Sequence, residues 1–219
     1  MSQLPKDTHK RAPNYHHGDL RNTLIVAAAE LIEERNSSDF TIIEAARRAG
    51  VSSGAPYRHF KDKEALLLSV AELGFLGLRD AIANAISGIQ KGTIERIIAA
   101  GHAYMRYIID KQAFYDLMWG ELLVDAMASA GTRPPSAFEI LVVLVDDWLN
   151  AESIEQDSRM LSVQLVATAH GLVSLQLSRR LSRIAPNVCI YDALQHSAYT
   201  FLLSYQALAR ERTAHRTDN

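Results

Sequence analysis

The sequence predicts an all-α fold in two parts: a small N-terminal three-helix unit joined by a long helix to a larger C-terminal helical bundle. Three observations predict it. Apolar residues recur at i, i+3, i+4 spacing along nearly the whole chain, the period of one helix face. No stretch sustains the period-two alternation of a half-buried strand. The 41–63 segment, TIIEAARRAGVSSGAPYRHFKDK, reads as two short helices around a Gly-Val-Ser turn, which is how a helix-turn-helix is written in sequence.

The elements follow in order. Residues 1–17 are polar, with Pro5 and Pro13, and read as a flexible arm. A first helix runs from about Asp19 to Arg35, with Leu20, Leu24, Ala28, Leu31 and Ile32 on one face. Asn36-Ser37-Ser38-Asp39 ends it. Thr41 caps a short second helix, and Glu44 three residues on completes a capping box. Ile42, Ala45, Ala46 and Ala49 form the inner face of that helix. Gly50 supplies the left-handed residue that stops it, and Val51 plugs the turn into the core. Ser52 or Ser53 caps a third helix ending near Phe60, its expected anchor. Asp62 caps a long fourth helix to about Ile89. Past Gly92 the helices lengthen, at roughly 93–110, 111–128, 135–151, 157–182 and 190–211. Breaks fall at Gly131 to Pro135, near Gln156, and at Ala185-Pro186-Asn187. The expected domains are 18–78 and 79–212, with 213–219 a flexible tail.

Composition bounds the function. Of 219 residues 48% are hydrophobic, enough to bury a sizeable core. The one cysteine, Cys189, forms no internal disulfide, so a reducing, cytoplasmic setting is expected. The start has no apolar run of the signal-peptide kind. The longest aliphatic run, Leu141 to Val145, is far short of a bilayer span, so no membrane partner is expected. The net charge of -2 hides an asymmetry: residues 1–63 carry ten Lys+Arg against eight Asp+Glu, the remainder thirteen against seventeen. The N-terminal part is thus the side suited to a polyanion. There is no HExxH, GxSxG or phosphate-cradling Gly loop, and His16-His17 is an adjacent pair rather than an i, i+4 one. His102, His170, Glu121 and the Asp146-Asp147 pair lack catalytic or ligating spacing. No enzyme activity, metal or cofactor is expected.

The chemistry of the 41–63 segment suits DNA. Two helices that cross steeply need small residues at the crossing, and Ala45, Ala46 and Ala49 supply them. The third helix exposes Ser53, Ala55, Tyr57, Arg58 and His59. Arg pairs with guanine, an Ala methyl touches a thymine methyl, and a Tyr hydroxyl donates to phosphate. Gly54 lets the backbone approach the duplex. Lys61 and Lys63 stand at the start of the fourth helix, where free N–H groups favour a phosphate, and Thr41 offers a second helix start. The expected DNA-facing set is Thr41, Ser52, Ser53, Gly54, Ala55, Tyr57, Arg58, His59, Lys61 and Lys63. Arg47 and Arg48 read as a solvated face. If Ser53 is the cap, Pro56 falls where the N–H is unpaired anyway; otherwise it distorts the first turn.

These residues resemble the TetR family of transcriptional regulators, from about Gly18 to Val70 and most strongly over AGVSSGAPYRHFKDKEALL, Ala49 to Leu67. The resemblance implies a homodimer on a palindromic operator in double-stranded DNA, with a C-terminal domain that binds a small molecule and dimerises. It implies phosphate contacts from Thr41, Tyr57 and Lys61 or Lys63, and base-edge contacts from Ser53, Gly54, Ala55, Arg58 and His59. Many members carry a bulky aliphatic residue or Thr where Pro56 stands. YHHGDLR (Tyr15 to Arg21), His170-Gly171-Leu172 and AFYDLMWGELL (Ala113 to Leu123) resemble the subgroup with a WHG-type C-terminal domain, with Val166 near the place of its Trp. The implied function is a repressor released by its effector. The alternative is an activator or a ligand-independent repressor on the same fold, and a small helical enzyme is the remote one.

Two features mark the C-terminal part. His102, Tyr104, Met105, Phe114, Tyr115, Met118 and Trp119 cluster as a pocket lining for an apolar or aromatic effector, the other reading being an ordinary core. Leu165, Thr168, Gly171, Leu172, Leu175, Ala198, Leu202 and Tyr205 run along faces of the last two long helices. Paired with a second copy they make a four-helix dimer interface; alone they make an intramolecular bundle face. One short recognition helix reads few base pairs, which favours the dimer. His170 reads as a packed histidine near the interface or the pocket.

Overall fold

The computed structural model describes residues 19–120 and 136–217, with side chains as far as Glu211 in the last helix. The expected arm, the Gly131–Pro135 break, the second half of the 111–128 helix and the chain's last two residues lie outside the described residues. Described elements are helical throughout: α1 (Leu20–Arg35), α2 (Ile42–Arg48), a 3-10 turn (Pro56–Arg58), α3 (Lys63–Ile86) and α4 (Ile94–Asp110). A second 3-10 turn (Gln112–Phe114) then leads into α5 (Tyr115–Trp119), α6 (Ala137–Ala151), α7 (Ser158–Leu177), α8 (Leu181–Ile184) and α9 (Ile190–Thr217).

The N-terminal unit forms for the reasons its sequence suggests. α1 buries Leu24, Ala28, Leu31 and Ile32, and Asn36 ends it in the left-handed region at φ 48°. The Thr41 hydroxyl accepts the Glu44 N–H, and the Glu44 carboxylate accepts the Thr41 N–H at 2.7 Å, closing the capping box. Arg35 donates to the same carboxylate at 2.6 Å, and this bond with those from Thr41 holds the Glu44 carboxyl down at about 2. Lowered below its ordinary value, that group keeps the box charged as pH falls, until pH approaches its own pKa. Gly50 at φ +70° ends α2. The Val51 N–H reaches the Ala46 carbonyl at 3.0 Å and the Gly50 N–H reaches that of Arg47 at 3.1 Å, the two bonds of a Schellman end. Thr41→Ala is expected to lower stability by about 1 kcal/mol, measured by urea unfolding; an unchanged midpoint would show that the box does not contribute.

α3 joins the two parts. Asp62 caps it, accepting the Ala65 N–H at 2.8 Å. Its 24 residues span about 36 Å. Val70, Leu73 and Gly74 face α1, whereas Phe75, Leu78 and Ile82 face the bundle. On the bundle side α4, α5 and α6 pack against it, and α7 and α9 pack in turn on α4, with Trp148 of α6 almost wholly buried at 1% exposure. Several expected boundaries shift. α3 ends at Ile86, with Gly88 at φ +80° just past it. The 111–128 helix begins as a 3-10 turn before α5. The 157–182 helix divides at Arg179, which sits at φ 55° between α7 and α8. The last helix runs on to Thr217, into the stretch expected as a tail.

Candidate nucleic-acid interface and effector cavity

The third α-helix expected from the sequence is not formed. Ser52 to Ala55 make a turn closed by the Ala55 N–H on the Ser52 carbonyl at 3.0 Å, and Pro56–Arg58 make one 3-10 turn. Pro56 stands first in that turn and has no N–H for the Ser52 carbonyl, which the Ala55 N–H takes instead. The bonds from Arg58 to Ala55 at 3.3 Å and from His59 to Pro56 at 2.9 Å are i to i+3, and among the described residues of the turn an i to i+4 bond comes only at its end. Phe60 closes the turn, its N–H also on Pro56 at 2.9 Å and its ring 3% exposed. The Arg21 guanidinium lies 5.3 Å from that ring's centroid and donates to Ser69 on α3 at 2.8 Å. The turn is therefore short, irregular and nailed from beneath.

Ser52, Ser53, Gly54, Arg58, His59 and Lys61 are exposed, and Ala55 is half-buried. Tyr57 is 55% exposed, high for an aromatic residue. Lys63 lies along the Phe40 ring, with its ammonium 4.9 Å from the centroid. Thr41 is exposed, but its hydroxyl both accepts from the Glu44 N–H and donates to the Glu44 carboxylate at 2.9 Å, so its proton is spent within the cap. Arg48, expected to be solvated, instead clamps Glu34 and Glu30 of α1. Among the described residues Arg47 and Arg58 pair with no carboxylate. The face around the turn thus offers unneutralised cations and hydroxyls on one side, with Pro56, Phe60 and the alanines of α2 buried on the other.

The bundle encloses a cavity of about 220 Å³ between α3, α4, α5, α6, α7 and α9. Tyr104 and Trp119 of the expected lining stand in its wall. The other five do not. Met105 and Met118 are spent in the core, Met118 against Gly74, and Phe114 packs at the junction with α1. His102 bonds the Tyr191 carbonyl at 3.1 Å, and Tyr115 bonds His170 at 3.1 Å. The wall is completed by residues the sequence reading left out, chiefly Phe75, Leu78 and Ile82 of α3 and Phe138 and Leu141 of α6. Their signal was an apolar stripe that core and cavity wall share.

Behind the wall lies a polar node. His170 hydrogen-bonds the Tyr104 hydroxyl through Nδ1 at 2.8 Å and the Tyr115 hydroxyl through Nε2 at 3.1 Å. Trp119 stacks on Tyr115 with centroids 5.6 Å apart, and its ring also touches His170, Tyr104 and Phe75. Burial pushes the His170 imidazole below its ordinary value. Burial first, then the neighbouring Tyr115, pushes the Tyr104 phenol up.

The face expected at a dimer interface needs correction. Leu165, Ala198 and Leu202 are buried within the single chain, and the first two line the cavity. Leu172, Leu175 and Tyr205 are half-buried, while Thr168 and Gly171 are exposed. What α7 turns outward is Met160 (59% exposed), Val163 (51%), Ala167, Thr168 and Gly171, with Leu203 (45%) and Leu208 (51%) on α9. Both helices are apolar on two faces, so spacing alone did not say which one faces inward. α7 is, by length and composition, apolar enough to cross a membrane, a property no single aliphatic run revealed.

The chain matches the family of bacterial regulatory proteins of tetR type over residues 24–70, and the tetracyclin repressor-like C-terminal domain over residues 97–197. It is 40% identical over 80 residues to the HTH-type transcriptional regulator BetI of Escherichia coli O127:H6, a match covering 36% of this chain and 41% of that relative. The chain thus spans under half the length of the curated relatives it matches. A protein of unknown function from Rhodococcus sp. RHA1 shares the fold at a TM-score of 0.71 and 25% identity, covering 89% of this chain and 100% of its own. The fatty acid degradation regulator FadR from Bacillus halodurans shares it at 0.60 and 17% identity, covering 89% and 96%.

Proposed function

Because the chain belongs to the TetR family of bacterial regulatory proteins, we propose that it is a cytoplasmic, DNA-binding transcriptional repressor, released from a palindromic operator when a small apolar molecule fills the cavity of its C-terminal domain. The observation that carries this is the Ser52–His59 turn, polar and cationic outside and anchored by Phe60 inside. The outward stripe of α7 and α9 supports a homodimer, since a soluble chain leaves so long an apolar helix face open only where another surface covers it. A two-fold dimer sets two reading turns in successive major grooves, about 34–36 Å apart. α3 touches both the α1 junction and the cavity, so ligand that favours one α3 position favours one spacing of those turns.

The test is binding of the chain to the DNA upstream of its own gene. Tyr57→Phe with Lys63→Ala is expected to lower affinity by about tenfold or more, with helicity unchanged. The slope of log affinity against log salt should become shallower by about one for each lysine lost. Equal binding by the variant and the parent would refute the assigned turn.

A further inference from the structure

The cavity wall is largely apolar, but three of its residues carry polar side-chain groups: Tyr104, Trp119 and Ser136, whose hydroxyl oxygen caps α6 by accepting the Glu139 N–H at 3.3 Å. Trp119 carries an indole N–H, and Tyr104 has its hydroxyl on His170. Among the described residues the wall contains no Asp, Glu, Lys, Arg or His. Against these residues a charged ligand finds no counter-charge, which low-dielectric surroundings penalise heavily. The aromatic faces of Phe75, Tyr104 and Trp119 attract a cation, yet no carboxylate in the described wall completes such a site.

The node behind Tyr104 decides what that hydroxyl can offer. A neutral imidazole has one N–H and one lone pair, and each ring nitrogen of His170 meets one tyrosine hydroxyl. Two arrangements satisfy all three groups. In one, Tyr115 donates to Nε2 and Nδ1–H donates to Tyr104, leaving the Tyr104 O–H free to donate. In the other, Tyr104 donates to Nδ1 and Nε2–H donates to Tyr115, leaving Tyr104 only lone pairs. Burial lowers the imidazole's pKa and raises that of the Tyr104 phenol, and both shifts favour the neutral forms. In the first arrangement Tyr104 and Trp119 present two donors on the same wall.

We propose that the cavity takes an uncharged, largely apolar molecule bearing one oxygen that accepts hydrogen bonds, a hydroxyl or a carbonyl, with Tyr104 as the residue that selects it and His170 as the residue that positions Tyr104. The inference rests on reading the cavity as the effector site. Donors with no counter-charge among the described lining residues recognise a neutral acceptor and leave a carboxylate or an ammonium uncompensated by those residues.

The probes are four two-ring compounds that differ only at one position: naphthalene, 2-naphthol, 2-naphthoate and 2-naphthylmethylammonium, titrated calorimetrically into the full chain at neutral pH. 2-Naphthol is expected to bind about tenfold more tightly than naphthalene, and both ions more weakly than naphthalene. Tyr104→Phe, which keeps the ring and its packing, should bring 2-naphthol to the level of naphthalene and leave naphthalene unchanged. His170→Phe should reduce the preference for 2-naphthol in the same sense. Equal affinity for naphthalene and 2-naphthol, or tighter binding of either ion, overturns the inference and leaves the effector reading standing. If none of the four binds below millimolar concentration, the effector reading fails with it.

Discussion

Phe60→Ala is expected to destabilise the protein by about 3–5 kcal/mol, the range for deleting a buried aromatic side chain, and to abolish operator binding. The ring is 3% exposed and belongs to the core that α1, α2 and α3 share. It also carries the turn above it. Ser52 to His59 has only i to i+3 bonds and one buried residue of its own, Pro56, so nothing within the turn can hold its shape. The Phe60 N–H on Pro56 and the Arg21 guanidinium against the ring fix it to α1 and α3. Total stabilities of 5–15 kcal/mol are usual, so the loss would leave the N-terminal unit marginal. Naphthalene binding in the cavity should survive in whatever fraction stays folded, because Phe60 is not in that wall. Urea unfolding and gel-shift titration measure the two effects. A stability loss under about 1 kcal/mol would mean that the turn is held by something else.

What the sequence revealed were features set by a few neighbouring residues. The Thr41–Glu44 box, the stop at Gly50, the Asp62 cap and the buried Phe60 each depend on local spacing, and each stands where expected. The sequence flagged Pro56 as well, but the departure goes further than a distorted first turn: a single 3-10 turn stands where an α-helix was expected. The bundle was less legible. Leu165 and Ala198 sit at helical spacing whichever way their helices turn, and only the arrangement of α3, α4 and α6 around them directs both to the cavity. His170 is polar on an apolar helix, and its role depends on Tyr104 and Tyr115, 66 and 55 residues away in the chain. No window of sequence contains such a pairing.

Gly77→Ala should destabilise the protein by about 1–3 kcal/mol, although alanine is the better helix former by about 1 kcal/mol. Gly77 lies in α3, and a methyl group there would fall on the Tyr107 hydroxyl, inside contact distance. That hydroxyl donates to the Gly74 carbonyl at 2.8 Å, so the ring cannot move without giving up the bond. Gly74 is also tight, its added carbon meeting the Met118 sulfur at 2.9 Å. The two glycines let α4 and α5 close onto α3, beside the groove where Lys111 pairs with Glu33 of α1. Displacing Tyr107 therefore disturbs the contact through which the bundle holds the DNA-reading unit. Tyr107→Phe removes the clashing oxygen, so adding Gly77→Ala to that variant should cost about 1 kcal/mol less than adding it to the parent, a coupling that a double-mutant cycle reads directly. The same cycle on operator affinity, with and without a cavity ligand, tests the link to function: if α3 transmits occupancy through this contact, Gly77→Ala changes the ligand's effect on DNA binding by more than it changes DNA binding alone. A stabilising Gly77→Ala would show instead that helix propensity outweighs the packing of Tyr107 at this site.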